Sequence, residues 1–178
     1  MDLGALQALI IMSNLVLSNL KTANKDTMEE IYILNQELTP MVGSLNSSNE
    51  LKDLIDMSSH SFYIEKKSEL VAFIVCLREN SIYKSQNYVH FDKKYKRFLY
   101  IDRVGVRKKH GNKGIGTYLY EHIFNINDGN ALPICAEVNI EPKNEISLRF
   151  HQKMGFEETS EKSINSDYKV KYVEKNAR

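Results

Sequence analysis

Val104-Gly-Val-Arg-Lys-Lys-His-Gly-Asn-Lys-Gly-Ile-Gly-Thr117 is the stretch on which the fold turns. Residues 98–106 are dense in β-branched and aromatic side chains and read as a strand. A basic turn follows with glycines at 111, 114 and 116, and then Ile115, Leu119, Ile123 and Ile126 recur at helical spacing over residues 114–126. Glycine lets backbone approach a ligand closely and reaches dihedrals closed to other residues. The first amides of a helix have no partner within it, so a strand, a glycine-rich turn and a helix start together make an anion-binding arrangement. Lys108, Lys109 and Lys113 add positive charge around it. Taken alone, the same pattern also describes a tight connection with a solvated basic surface. A nucleoside triphosphate loop is disfavoured, because Gly-Asn-Lys-Gly-Ile-Gly lacks the Gly, four residues, Gly-Lys-Ser/Thr arrangement. A dinucleotide fold is disfavoured because its glycines follow the first strand, whereas four strands precede this turn.

Upstream, residues 14–21 alternate weakly and read as a first strand. Polar residues 24–27 cap a helix carrying Met28, Ile31, Ile33 and Leu34, which Thr39, Pro40 and Gly43 stop. A second helix runs from Ser47 to about Met57, with Leu51, Leu54 and Ile55 on one face. Residues 60–64 and 70–77 read as a hairpin turned by the polar stretch 65–68. From 78 to 97 the periodicity disappears, and a long loop carrying Tyr83, Tyr88, His90, Phe91 and Tyr95 is expected, of the kind that is usually functional. Downstream, residues 132–138 read as a strand, 143–153 as a helix, and 156–159 and 168–173 as closing strands. Strands and helices alternating around a largely antiparallel first half predict an α+β (mixed α/β) fold. It occupies one domain over residues 12–178, with residues 1–11 set apart as an N-terminal extension.

Composition narrows the function classes. The 178 residues are 42% hydrophobic and 26% charged, an ordinary globular balance. With 24 Lys and Arg against 23 Asp and Glu there is no general attraction to nucleic acid. The apolar stretch near the N-terminus lacks a basic leader and is far too short to span a membrane, so membrane anchoring and secretion are not expected. Cys76 and Cys135 each lie in an apolar run and read as buried free thiols in a reducing, cytoplasmic setting. The five histidines show no metal-ligand spacing, and no metal is expected.

A second segment joins the first: Cys135-Ala-Glu-Val-Asn139, Pro142-Lys-Asn144, and Ile146-Ser-Leu-Arg-Phe-His-Gln-Lys-Met-Gly155-Phe156. Ile146, Phe150 and Met154 recur every four residues and read as core, and Gly155 as a left-handed helix stop. Together the two segments resemble the GNAT superfamily of N-acetyltransferases, in which a strand, an Arg or Gln, two residues, Gly, one residue, and Gly or Ala lead into a pyrophosphate-binding helix. Gly114 and Gly116 match the two small positions, while Gly111 stands where the family usually has Arg or Gln. More narrowly, Arg97-Phe-Leu-Tyr-Ile-Asp-Arg-Val104, Glu137-Val-Asn139 and Ser85-Gln-Asn-Tyr88 resemble a bacterial subgroup whose acceptor is generally not assigned.

The resemblance implies a central, largely antiparallel sheet of six or seven strands flanked by helices, acetyl-CoA as acetyl donor, a small-molecule amine or other amino-group substrate as acceptor (a small amine, an amino acid derivative, an antibiotic or a protein terminus each fits), and a fold in which homodimers are common. It places the pyrophosphate at Gly111, Asn112, Lys113, Gly114, Ile115, Gly116 and Thr117, and the pantetheine arm along the backbone of Val104, Gly105 and Val106. It also places Asn139 and Asn144 near that arm, although Asn144 serves equally as a helix cap. His151 falls where many relatives carry a tyrosine thought to protonate the departing thiolate, and it reads equally as a surface or cofactor-stacking residue. Direct attack of an amine needs a base, for which Glu137 comes first and Asp102 second, both on strands. A structural role for either carboxylate, satisfying Arg103 or backbone amides, stands beside that reading. Tyr83 and Tyr88 are candidate acceptor contacts, and Tyr100 reads more readily as core. A non-catalytic module that binds or senses acyl-CoA is the alternative.

Overall fold

The computed structural model describes residues 14–126 and 131–176; the extension set apart at residues 1–11 lies outside them. In chain order the elements are β1 (Leu15–Asn19), a 3-10 turn (Leu20–Thr22), α1 (Lys25–Glu37), α2 (Ser48–Met57), β2 (His60–Lys66), β3 (Glu69–Arg78) and α3 (Gln86–Lys94). They continue with β4 (Leu99–Val106), a 3-10 turn (Lys108–His110), α4 (Ile115–Ile126), β5 (Ile134–Glu141), α5 (Glu145–Lys153), β6 (Glu157–Ser163) and β7 (Lys169–Lys175). The strands form a seven-stranded sheet in the order β1-β2-β3-β4-β5-β7-β6. This is the mixed α/β, largely antiparallel architecture expected. Its parallel step, β4 beside β5, covers only Leu99↔Ile134, Tyr100↔Cys135 and Ile101↔Ala136, although β4 runs on to Val106 and β5 to Glu141.

Local chemistry explains most boundaries. Asn24 caps α1 by accepting the Thr27 amide at 2.8 Å. Ser47 accepts the Glu50 amide at 3.2 Å while the Glu50 carboxylate reaches back to the Asn46 amide at 2.6 Å, a reciprocal cap for α2. Lys67 and Ser68, at φ 52° and 62°, make the two-residue turn between β2 and β3, whose left-handed pair matches strand twist. After α5, Gly155 at φ 84° lets its own amide bond to the Gln152 carbonyl and the Phe156 amide to the His151 carbonyl, the paired closure that ends a helix in a left-handed residue.

The chain falls into two compact units. The first takes in the described residues to Asp56, His60–Val75 and Arg103–Glu121. Its core holds Ile31 and Leu34 of α1, Leu51, Leu54 and Ile55 of α2, the β3 run Leu70 to Val75, and Ile115 and Leu119 of α4. Buried Arg103 donates to the Asn35 side-chain oxygen at 2.9 Å and to the Gly43 carbonyl at 3.2 Å, so α1 and the loop after it, Asn35 and Gly43, accept from this charge. The second unit comprises Met57–Ser59, Cys76–Asp102 and the described residues from His122 on. Its core is aromatic: Tyr88 packs against Phe98 and Tyr100, and Phe91 against Tyr100 and Tyr172.

Two expectations need correction. Residues 78–97 are not a continuous loop, because α3 occupies Gln86–Lys94. Ser85 caps it by accepting the Asn87 amide, and Asn87, Tyr88 and Phe91 form its buried stripe. Only nine residues long and mostly polar or aromatic, the helix carries too short an apolar repeat to stand out. The stripe Ile146, Phe150, Met154 is not a buried core face either: Ile146 is 74% exposed, and Phe150 and Met154 are half-buried.

Candidate functional site

In the first unit, β4 delivers the chain into the basic turn. Gly105 is required by packing: a Cβ there would lie 2.4 Å from Phe73 Cε1 and 2.8 Å from Leu38 Cδ1. Val104 and Val106, its neighbours on the opposite side of the strand, are partly exposed. Asn112 at φ 57° and Gly114 at φ 80° both take left-handed backbone and turn the chain into α4. The first bond of α4 runs from the Tyr118 amide to the Gly114 carbonyl at 2.9 Å. The amides of Ile115, Gly116 and Thr117 therefore precede the helical ladder, and the space beside the Gly114 Cα is open within 4 Å. Unpaired amides at a helix start beside an open, left-handed glycine are features that can receive an oxyanion.

The basic side chains around that turn are partly committed within the protein. Lys109 Nζ lies 2.6 Å from Glu69 Oε1, and Arg107 reaches Glu37 at 3.3 Å and the Leu70 carbonyl at 3.0 Å. His110 approaches Glu69 at 3.4 Å, and Lys113 Nζ donates to the Lys109 carbonyl at 2.8 Å. The Lys109 ammonium holds the Glu69 carboxyl below its usual range. Lys108 and Lys109 stay exposed. Their long-range attraction for an anion is thus offset by nearby carboxylates, and the backbone is the stronger part of this arrangement.

In the second unit the two candidate bases are electrostatic neighbours. Glu137 on β5 accepts a hydrogen bond from the Tyr100 hydroxyl at 2.7 Å, and it feels the charge of Asp102, two residues beyond Tyr100 on β4. Glu137 keeps part of its surface accessible although it sits deep among protein atoms. That desolvation, followed by repulsion from Asp102, pushes its carboxyl up to about 8; the hydrogen bonds from Tyr100 and Asn87 oppose the rise. Tyr100 is fully buried and its hydroxyl is pushed well above its ordinary value, so it remains a proton donor to the carboxylate. The arrangement sets a half-buried glutamate, its carboxyl raised by burial, beside a second acidic side chain.

Other candidates from the sequence occupy different settings. His151 is buried, and its Nδ1 faces the Ser147 carbonyl at 2.9 Å, which makes that nitrogen the donor. Its ring meets Phe150 and Phe156 edge-on, and burial lowers it to about 4, so at neutral pH it is an uncharged imidazole packed in the end of α5. Asn144 caps α5 by accepting the Ser147 amide at 3.1 Å, and buried Asn139 accepts from the Tyr168 hydroxyl at 3.0 Å. Tyr88 is buried on α3 with its hydroxyl taken up on both sides, donating to the Arg78 carbonyl and accepting the Ser81 amide, each at 2.8 Å. Tyr83 is half-buried on the segment before α3 with its ring 5.9 Å from that of Tyr88. Cys76 and Cys135 are buried free thiols that burial raises far above the thiol range, which leaves neither as a nucleophile. Asn87, which bonds the Glu137 side chain, was not legible as a site residue because the helix that carries it was not; the signal was Ser85 followed by a buried pair two residues on.

The chain is 21% identical to Arabidopsis thaliana Naa50 in complex with a bisubstrate analogue, covering 92% of this chain and 99% of that one at a TM-score of 0.67. Ard1 from Thermoplasma volcanium gives 17% identity, 91% and 97% coverage and a TM-score of 0.69. The ribosomal-protein-S18-alanine N-acetyltransferase from Escherichia coli gives 11%, 90% and 92%, and 0.64. At these identities the likeness is one of fold. No curated protein matches the sequence. The profile of the Acetyltransferase (GNAT) family matches residues 27–156, which run from within α1 through α5 and take in both the turn and the carboxylate pair, and the chain belongs to that family.

Proposed function

We propose that this protein transfers the acetyl group of acetyl-CoA to a primary amine by direct attack, with Glu137 accepting the amine's proton. The observation that carries the reading is Glu137: a half-buried glutamate whose carboxyl is raised to about 8, bonded by Tyr100 and flanked by Asp102, in a chain of the GNAT family. A base of that strength holds a proton at the right pH to exchange it with an amine. The amides of Ile115, Gly116 and Thr117 suit the diphosphate of the donor, and the Gly114 conformation keeps the approach clear of a side chain. The backbone of Val104 to Val106, beyond the last β4–β5 pair at Ile101↔Ala136, suits the amide-bearing arm of the same donor.

The chemistry balances simply. The amine lone pair attacks the thioester carbon, the C–S bond breaks, and the thiolate departs as coenzyme A. The proton lost by the nitrogen goes to Glu137, directly or through water, and solvent protonates the thiolate. His151, neutral and bonded to Ser147, takes no part in this route. Orientation of the two reactants supplies the remainder of the rate.

The test is the release of free CoA thiol from acetyl-CoA against a panel of amines: amino acids, polyamines, aminoglycosides and short peptides with free N-termini. Turnover with at least one class is expected, and Glu137→Gln lowers kcat by about 10²–10⁴-fold with little change in the KM for acetyl-CoA. Full activity in the folded Glu137→Gln protein would remove Glu137 as the base.

A further inference from the structure

Glu137 does not meet its surroundings only through β4. Directly opposite it on the antiparallel neighbour β7 stands Tyr172, at the register pair Glu137↔Tyr172. The Tyr172 hydroxyl lies 3.1 Å from the side-chain oxygen of Asn87, and Asn87 is buried on α3. The other end of that amide, its NH2 group, is hydrogen-bonded to the Glu137 side chain. A phenol carries one proton, and here it is donated to the amide oxygen, which turns the amide nitrogen toward the carboxylate. Tyr172 is itself fixed: its ring stacks on His90 at 4.1 Å between centroids and 18° between planes, and meets Phe91 edge-on at 5.1 Å. The groups around the Glu137 carboxyl are therefore Tyr100 and Asp102 from β4, Asn87 from α3 and, through Asn87, Tyr172 from β7.

We propose that Asn87 is a positioning residue for the base: it holds the Glu137 carboxylate in one orientation through its amide NH2, and Tyr172 sets which way that amide faces. This inference rests on the reading of Glu137 as the base. Tyr100 and Asn87 are two donors arriving from different elements, a strand and a helix, so they fix the plane of the carboxylate where a single donor would leave it free to rotate. Both favour the ionised form, and so both oppose the effect of burial and of Asp102. The assignment also gives α3 a function: its N-terminal cap at Ser85 and the buried Tyr88 and Phe91 anchor the turn of helix from which Asn87 projects.

The test uses the full chain labelled with ¹³C at glutamate side-chain carboxyls, the Glu137 resonance being identified by its loss in Glu137→Gln, and follows its midpoint from acid to alkaline pH. The wild-type midpoint is expected at about 8. In Asn87→Leu, similar in volume but without a donor, the midpoint rises by about one unit. In Tyr172→Phe, which frees the amide to turn, it rises by about half as much. Tyr172→Phe removes a single oxygen and carries the test alone if Asn87→Leu does not fold. A raised Glu137 whose midpoint stays within about 0.2 units of wild type in both folded variants overturns the positioning role and leaves the base standing. A Glu137 that titrates in the ordinary carboxylate range overturns both.

Discussion

Two titrating side chains in the second unit carry opposite shifts, and each makes a separate prediction. Glu137 is raised by burial and by Asp102, so its proton-accepting form grows as pH rises through about 8. The kcat/KM of the wild-type protein is therefore expected to climb through that range and level off above it, and Glu137→Gln to lack this limb when the same acceptor is used for both. His151 is lowered to about 4 by burial. Its native form stays neutral while the unfolded chain takes up a proton below about 6.5, so its contribution to stability is complete above that value and is lost as pH falls toward 4. Urea melts of His151→Phe should show a flatter loss of stability across that window, by about 3 kcal/mol for the full shift. Parallel acid limbs for the two proteins would show that the imidazole is not held neutral. Of these two residues the sequence placed both in strand or helix as they are found, but not their settings. Burial of His151 depends on Phe156 folding back over it, and the charge on Glu137 depends on Asp102 and Asn87, which lie 35 and 50 residues upstream.

At the scale of elements, β4 and α5 show what backbone requirements decide. Adding a methyl group at Gly105 drives it into Phe73 and Leu38, two well-buried or packed neighbours that cannot both retreat. Gly105→Ala is expected to cost about 1–3 kcal/mol in denaturant melts by overpacking alone, and an unchanged midpoint would show that Phe73 and Leu38 yield. Asn144→Ala removes the cap of α5 and should cost about 1 kcal/mol, with Asn144→Ser restoring most of it and the affinity for acetyl-CoA unchanged in both. A fall in that affinity in the folded Asn144→Ser protein would instead place the Asn144 amide on the donor. The elements that the sequence revealed were those with a long repeat or an emphatic cap: α1 behind Asn24, α4 behind Gly114 and Gly116, and the Gly155 stop. It missed α3, where nine mostly polar residues bury only Asn87, Tyr88 and Phe91. It also overstated α5, because apolar residues at four-residue spacing mark a face without saying whether anything covers it; Ile146 is exposed.

For the whole molecule, the alternation of strands and helices was enough to indicate the mixed fold, with the Asn24 cap, the Lys67-Ser68 turn, the Asn144 cap and the Gly155 stop marking several of its boundaries. Pairing order was harder to read. That β7 lies between β5 and β6, so that Tyr172 faces Glu137, is a long-range choice which no local signal encodes. Acetyl transfer by this chain requires that the backbone turn before α4 binds a diphosphate, because every later step needs a held donor. The decisive measurement is calorimetric titration of the purified protein with acetyl-CoA, alongside a Gly116→Arg variant shown by circular dichroism to be folded. Saturable binding by the wild-type protein and its loss in the variant, where a long side chain stands among the Ile115 to Thr117 amides, is the result expected. A folded wild-type protein that binds no acetyl-CoA at millimolar concentration would contradict the account.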